Sequence, residues 1–324
     1  MENIYIDKTN TTLKAEKERL IIIPENQRAR SIPLNCIERI TIACNTQLNS
    51  SLFSKLCGHG VELTIINRQK YEHSSNLTPS HQNNPFLKMA HYRLISNNQW
   101  QQIACNVLIQ QKLKQQTKTL NTLFKNHPNA HKSRLHKFNQ LVQTQQNTLT
   151  EQQHSLTIKT LLGIEGCCAH AYFSAIADII PSSWEFKARV KRPPTDPFNA
   201  LLSLTYTMLH KEACKALFSS SFDPMIGMFH QPCYGRQSFA CDLVELFRAK
   251  ADMWIINQIK QQTFRHQHFS EPNKNGCYLN KSGRIKYFQE YEHQAKIWRK
   301  QMRRWCKFYT ARLTTLMTTL NSIN

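Results

Sequence analysis

Two acids three residues apart, Asp242 and Glu245, interrupt the apolar run FACDLVELF at 239–247, and a histidine, His230, stands in the loop ahead of it. On a helix, residues at i and i+3 share a face. Acids paired on a partly buried face repel unless a cation or a proton lies between them. Two carboxylates and one neutral imidazole that leave coordination positions open suit Mg2+ or Mn2+ acting on a phosphodiester. Zinc fits less well, because the 11 cysteines include no C-x-x-C pair. Asp252 falls further along the same face and is expected to be a solvated acid. Gly227, near His230, reads as a turn.

Glu165 is the second anomaly. It interrupts LLGIEGCCAHA, where nearly every other residue is apolar or small. An ionised carboxylate buried there costs several kcal/mol unless it is paired or bound to metal. Pairing with a buried arginine is the simpler alternative. Gly163 and Gly166 flank it, and each costs about 1 kcal/mol against alanine inside a helix. Close approach by another backbone, a ligand or a phosphate would be a reason for them.

Cations surround these acids in the sequence. EFKARVKRPPTDP carries Lys187, Arg189, Lys191 and Arg192, Arg236 lies in CYGRQS, and Arg248 follows Glu245 by one turn. Phosphate contact is the functional reading. Ion pairing with the acids is the alternative, strongest for Arg248.

These residues need elements to hold them. NIYID, RLIII and IERITIA are β-branched runs of strand length. A short helix is expected over 49–58, then the strand VELTIIN. The polar stretch RQKYEHSSNLTPSHQNNP reads as a linker, with no strand expected past Asn67. After it the pattern turns helical, with Gln-rich helices to about residue 153. LTIKTLLGIEGCCAHAYFSAIADII carries Glu165. TDPFNALLSLTYTMLH should begin with Asp196 as N-cap and Pro197 in the first turn. FACDLVELFRAKADMWIINQI carries the paired acids. A last helix, roughly 288–320, has an apolar stripe of Tyr291, Ala295, Trp298, Met302, Trp305 and Tyr309. Beside it run Lys296, Arg299, Lys300, Arg303, Arg304 and Lys307, which are expected at the surface. The expected fold class is α+β: a small N-terminal β domain with linker, 1–85, followed by a larger all-helical domain, 86–324.

The chain has 324 residues, with 42 Lys+Arg against 21 Asp+Glu and a formal net charge of +21. An excess of this size points to a polyanionic partner, most often nucleic acid. The cysteines are odd in number and read as small buried hydrophobes in a reducing compartment. The N-terminus MENIYIDKTN lacks the apolar core of a signal peptide. No apolar run is long enough to span a membrane. A soluble, cytoplasmic protein is expected.

GIEGCCAHAYF, RVKRPPTDPFNALLSLTYTML, FDPMIGMFH and GRQSFACDLVELFRA resemble, in order and spacing, segments of the CRISPR-associated integrase family, the Cas-one proteins of spacer acquisition. CYLNKSGRIKYFQEYE looks like the family's late segment, and IYID to VELTIIN is similar to its N-terminal β domain. The resemblance covers nearly the whole chain and is weakest over 99–155. It implies metal ligands at Glu165, His230 and Glu245, with Asp242 as a supporting residue behind them. It also implies a homodimer, association with the small Cas-two protein, and insertion of short DNA pieces into a CRISPR array. Some relatives work beside, or fused to, a reverse transcriptase. Catalysis would be metal-dependent transesterification: a protospacer 3′-OH attacks a phosphodiester at the repeat boundary, and water in its place gives endonuclease activity. The rivals are a nuclease that only cuts branched or single-stranded DNA, and a catalytically silent DNA-binding scaffold.

Overall fold

The computed structural model describes residues 2–67, 74–77, 84–127, 130, 132–152, 155–272 and 276–321. The chain is α+β, with strands in its first part and helices after them. Strands β1 (Glu2–Ile6), β2 (Thr11–Glu16), β3 (Arg19–Pro24), β4 (Arg30–Pro33), β5 (Ile37–Ile42) and β6 (Thr46–Leu48) precede helix α1 (Ser50–Gly58); β7 (Glu62–Ile65) and β8 (Ser75–Leu77) follow it. They form two four-stranded sheets, ordered β1-β5-β7-β8 and β4-β3-β2-β6. β1, β5 and β7 run parallel, and β8 closes that sheet antiparallel, with Leu77 opposite Leu63.

The strand β8 corrects the expectation that the sheet ends at Asn67. It lies within the polar stretch expected to be a linker, where Ser-Asn-Leu has neither length nor apolar alternation to signal a strand. Ladder bonds to β7 supply what the side chains do not. Parts of that stretch, 68–73 and 78–83, lie outside the described residues.

Period-2 alternation sets the β core. On β2, Thr11 and Leu13 are buried while Thr12 and Lys14 turn outward. Leu13, Leu20, Ile40, Leu52, Leu56 and Leu63 meet in one cluster. Arg39 of β5 stands opposite Glu62 of β7, and their side chains pair at 2.7 Å with each only 1% exposed. A charge pair buried this deeply penalises any slip of register, which would leave both ions unpaired.

The helical elements are α2 (Pro85–Ser96), α3 (Asn98–Lys125), α4 (Ser133–Glu151), α5 (Ile158–Ala177), α6 (Pro197–Ser219), α7 (Ser238–Lys260) and α8 (Lys281–Asn321). The Asn97 side chain accepts from Trp100 N at 3.0 Å, so a new helix starts there and divides α2 from α3. Asp196 caps α6, accepting from Asn199 N at 2.8 Å, and Pro197 occupies the first turn.

Two compact units result: 1–82 with 281–296, and 83–280 with 297–324. The first sixteen residues of α8 thus belong to the β unit. There Tyr5 stacks on Phe288, with ring centroids 4.6 Å apart, and its hydroxyl donates to Glu292 at 2.8 Å. Asn3 donates to the other Glu292 oxygen at 2.7 Å, and Arg284 pairs with Asp7 at 2.7 Å.

In the helical unit, α7 packs on α3 and α6, and α5 packs on α3 and α4. Leu243, Val244, Phe247, Ala251 and Ile255 bury α7 almost all round. The α8 stripe is core: Trp298 and Met302 are fully covered. Arg299, expected at the surface, is instead 7% exposed and pairs with buried Glu212 at 3.0 Å. The cysteines divide: Cys105, Cys168, Cys214, Cys277 and Cys306 are buried, whereas Cys36, Cys57, Cys167 and Cys233 are exposed. Among the described residues no helix is long and apolar enough to cross a membrane.

Candidate active site

The helices α3, α5 and α7 each send one charged side chain to a common point. Lys112 of α3 is 6% exposed, and its ammonium contacts Glu165 Oε1 of α5 and lies 2.6 Å from Glu245 Oε2 of α7. The latter is an ion-pair contact without hydrogen-bond geometry, and Glu245 Oε2 has no hydrogen-bond partner. Arg248, one turn on, approaches Glu245 Oε1 at 2.8 Å, again as an ion pair.

Burial by itself raises the Glu245 carboxyl pKa. Arg248 and Lys112, with a smaller contribution from His230, outweigh burial and hold it at about 2. Burial likewise pulls Lys112 down, and Glu245 and Glu165 turn the net shift upward. Both groups are charged at neutral pH. Glu165 is the more open carboxylate, at 24% exposure against 6% for Glu245.

His230 is fixed through its backbone and its ring. Asp242, fully buried on α7, accepts from the amides of Met228 at 2.6 Å, Phe229 at 3.1 Å and His230 at 2.9 Å. Its Oδ1 also lies 2.7 Å from His230 Nδ1. A carboxylate there assigns the ring proton to Nδ1 and leaves the Nε2 lone pair free for a ligand. The loop is held from its other side too. His91 Nε2 lies 2.8 Å from Ile226 O, and the Gln101 amide donates to Met228 O at 2.8 Å. Gly227 is required rather than merely permitted in this turn: a Cβ there would stand 2.5 Å from His230 O and 2.8 Å from Ser238 C.

Asp252 is not solvated. It is 1% exposed, and it accepts from Tyr206 at 2.5 Å and Tyr172 at 3.0 Å. Burial raises its pKa to about 6 against the two tyrosine bonds, which lower it. The Tyr206 ring carries the Arg248 guanidinium at 4.5 Å and that of Arg189 at 5.5 Å. Buried Asp252 and Tyr206, with half-buried Arg248, thus support Glu245 from behind.

Four of the sequence-marked cations, Lys187, Lys191, Arg192 and Arg236, are exposed. Arg236 nevertheless bonds Gln231 O and Ser238 Oγ, bracing the His230 loop. Arg189 is half-buried and donates to Asn199 Oδ1 at 2.9 Å and Ser203 Oγ at 3.1 Å. Arg248 makes the ion pair that its spacing from Glu245 suggests. A Cβ on Gly163 or Gly166 would meet nothing within 4 Å, so no neighbouring backbone within the described chain requires either glycine.

Glu165 and Glu245 therefore meet at one cation, which is a lysine rather than an arginine. Among the described residues no three His, Cys, Asp or Glu side chains are drawn together as a ready metal cage. The donor chemistry still fits a hard divalent ion. Two carboxylates converge on one charge, and His230 presents an imidazole whose Nδ1 is held by a buried carboxylate. The Lys112 ammonium stands in for the positive charge that such an ion would bring.

Lys112, His91 and Gln101 are absent from the set that the sequence marks. Lys112 had a signal, since it shares the inward stripe of α3 with Cys105, Ile109, Gln116 and Leu120, all buried. His91 and Gln101 had none beyond helical periodicity.

A sequence model of the family described as "CRISPR associated protein Cas1" matches residues 4–293. A Thermodesulfovibrio yellowstonii protein named "CRISPR-associated endonuclease Cas1 1" is 30% identical over 305 residues, which is 92% of this chain and 94% of that protein. Among solved structures, a casposase bound to integration product superposes with a TM-score of 0.81 at 18% identity, over 96% of this chain and 91% of that one. A chain from a "Cas6-RT-Cas1--Cas2 complex" also gives 0.81 at 19% identity; 97% of this chain matches 35% of that longer one.

Proposed function

Since the chain belongs to the Cas1 family of CRISPR-associated proteins, we propose that it is a DNA integrase and endonuclease of CRISPR adaptation, joining a protospacer 3′-OH to a phosphodiester of the array by transesterification. The observation that carries this reading is the convergence of Glu165 and Glu245 on a single cation; His230, whose Nδ1 is held by Asp242, is the third ligand that the family resemblance implies. Glu165, Glu245 and His230 Nε2 would hold Mg2+ or Mn2+. Such an ion supplies Lewis acidity to the phosphoryl group and lowers the pKa of the attacking hydroxyl.

The chain's own groups do the rest. Asp242 keeps the proton on His230 Nδ1 and the lone pair on Nε2. Arg248 keeps Glu245 ionised. Lys187, Lys191 and Arg192, exposed on the segment before α6, are suited to backbone phosphates. No covalent enzyme intermediate is required. Water in place of the 3′-OH turns joining into cutting, which agrees with the endonuclease name of the Thermodesulfovibrio relative. The casposase neighbour bound to integration product supports DNA as a partner, and the neighbour found with Cas2 and a reverse transcriptase supports those two proteins; a second copy of the chain rests on the family resemblance alone.

The test is product analysis with Mg2+ or Mn2+. Glu165→Ala, His230→Ala and Glu245→Ala should each lose strand joining while keeping DNA binding. Full joining by Glu165→Ala, or undiminished joining in chelator, sinks the reading.

A further inference from the structure

Lys112 is unusual for a buried lysine in that it serves two acids from two helices and little else. Its ammonium is the polar partner of Glu165 among the described residues, and it lies 2.6 Å from Glu245 Oε2. Glu245 has a second cation, Arg248, on its other oxygen. Removing Lys112 would therefore leave Glu245 still paired through Oε1 but Glu165 unpaired.

We propose that Lys112 is a resident counter-ion, which neutralises the paired carboxylates when no metal is bound and which a divalent ion must displace. The proposal rests on the reading of Glu165 and Glu245 as metal ligands, and it adds a state of the site which that reading does not contain. A divalent ion touching the same carboxylate oxygens would lie one contact from the ammonium, and like charges at that separation in a buried site cannot both stay. The lysine can leave where an arginine could not do so easily. Its charge sits on a flexible four-carbon stem, whereas Arg248 is fixed against Glu245 and over the Tyr206 ring. It also has a direction to leave in, because Glu165 is partly exposed.

Two consequences follow. The metal-free protein keeps a charge-satisfied core, so its fold does not depend on metal. Metal affinity is set by an exchange, ion in and ammonium out, and is lower than the donor set alone would give.

The experiment measures Mn2+ dissociation constants, from the electron paramagnetic resonance signal of free Mn2+, for wild type and Lys112→Gln, with thermal unfolding of each in chelator. A like charge a few ångströms away shifts cation binding by at least about tenfold, so Lys112→Gln should bind Mn2+ about tenfold or more tightly. It should also unfold at lower temperature in chelator and gain more from added Mn2+ than wild type does. Equal or weaker Mn2+ binding by Lys112→Gln overturns the proposal alone. Absence of binding in both proteins overturns the proposal together with the metal reading. Should the variant not fold, the wild type serves. Acylation by acetic anhydride, read by peptide mass spectrometry, should spare Lys112 in chelator and modify it at saturating Mn2+. Equal protection in both conditions overturns the proposal.

Discussion

Asp242 grips His230 twice with one oxygen: Oδ1 accepts from the His230 backbone amide at 2.9 Å and faces its ring Nδ1 at 2.7 Å. The other oxygen takes the amides of Met228 and Phe229. The acid to which the family resemblance gives a supporting role thus holds both the side chain of one residue and the backbone of three.

Replacing Asp242 should cost both fold and site. Asparagine offers one acceptor oxygen and turns an NH2 toward donors that need a carboxylate. Asp242→Asn should lose about 3 kcal/mol or more of stability, as expected when a fully buried, multiply bonded charge is removed. Mn2+ affinity should fall about 10–100-fold. Urea denaturation and Mn2+ titration check the two; a loss under about 1 kcal/mol would contradict the clamp.

His91 should make the protein acid-sensitive. Burial lowers its pKa to about 4 despite the bond to Ile226 O and the field of Asp223, which raise it. The unfolded chain, near 6.5, binds more protons than the folded one between those values. Stability from this group is therefore intact above about pH 6.5 and is lost as pH falls toward 4, by about 3 kcal/mol in all. Denaturation curves at pH 7 and 4.5 should differ less in His91→Gln than in wild type. Identical pH slopes would show that His91 is not the group responsible.

The cations before α6 should separate into two kinds. Lys187→Ala and Lys191→Ala, both exposed, should leave stability unchanged and weaken DNA binding. Each should lower the slope of log affinity against log salt by about 1. Arg189→Ala should instead lower the unfolding temperature, because its guanidinium is half-buried and joined to Asn199 and Ser203. Salt titrations and melting curves of the three variants, run together, distinguish the roles; an unaltered melting temperature for Arg189→Ala would remove the structural one.

Gly166 should be tolerant. Nothing lies within 4 Å of the Cβ that alanine would add, and the helix is regular there. Gly166→Ala should stabilise the protein by about 1 kcal/mol. If it also impairs strand joining with Mn2+ affinity unchanged, the open face beside Glu165 is where substrate passes. Destabilisation would mean that the glycine answers a constraint within the fold.

Much of this was legible in the residues. Asp196-Pro197 announced a helix start because capping is local chemistry, and the alternation of TTLKAE is visible to anyone who lays it on a strand. The acids and His230 stood out because each departs from its surroundings. Lys112 did not, for the helix around it is rich in Gln and Lys, so a buried lysine looks like its solvated neighbours. The same ambiguity hid Arg299 and Asp252: a charged residue near an apolar stripe reads as solvated until a partner distant in sequence is known, here Glu212 for one and Tyr172 and Tyr206 for the other. The strand β8 was hidden because its pairing, not its side chains, makes it a strand.

The inclusion of 281–296 in the β unit has a bearing on how the protein is made. A ribosome delivers β1 first, yet Arg284, Phe288 and Glu292, which hold Asp7, Tyr5 and Asn3, emerge more than 270 residues later. Until then Tyr5 lacks its stacking neighbour Phe288, and Asn3, Tyr5 and Asp7 lack these bonds to α8, while the helical unit is already emerging. The β sheets can pair locally in that interval, but their unit is finished only once residues 281–296 have emerged. Ribosome stalling or truncation before residue 281 should therefore leave residues 1–82 as the part that protease reaches first.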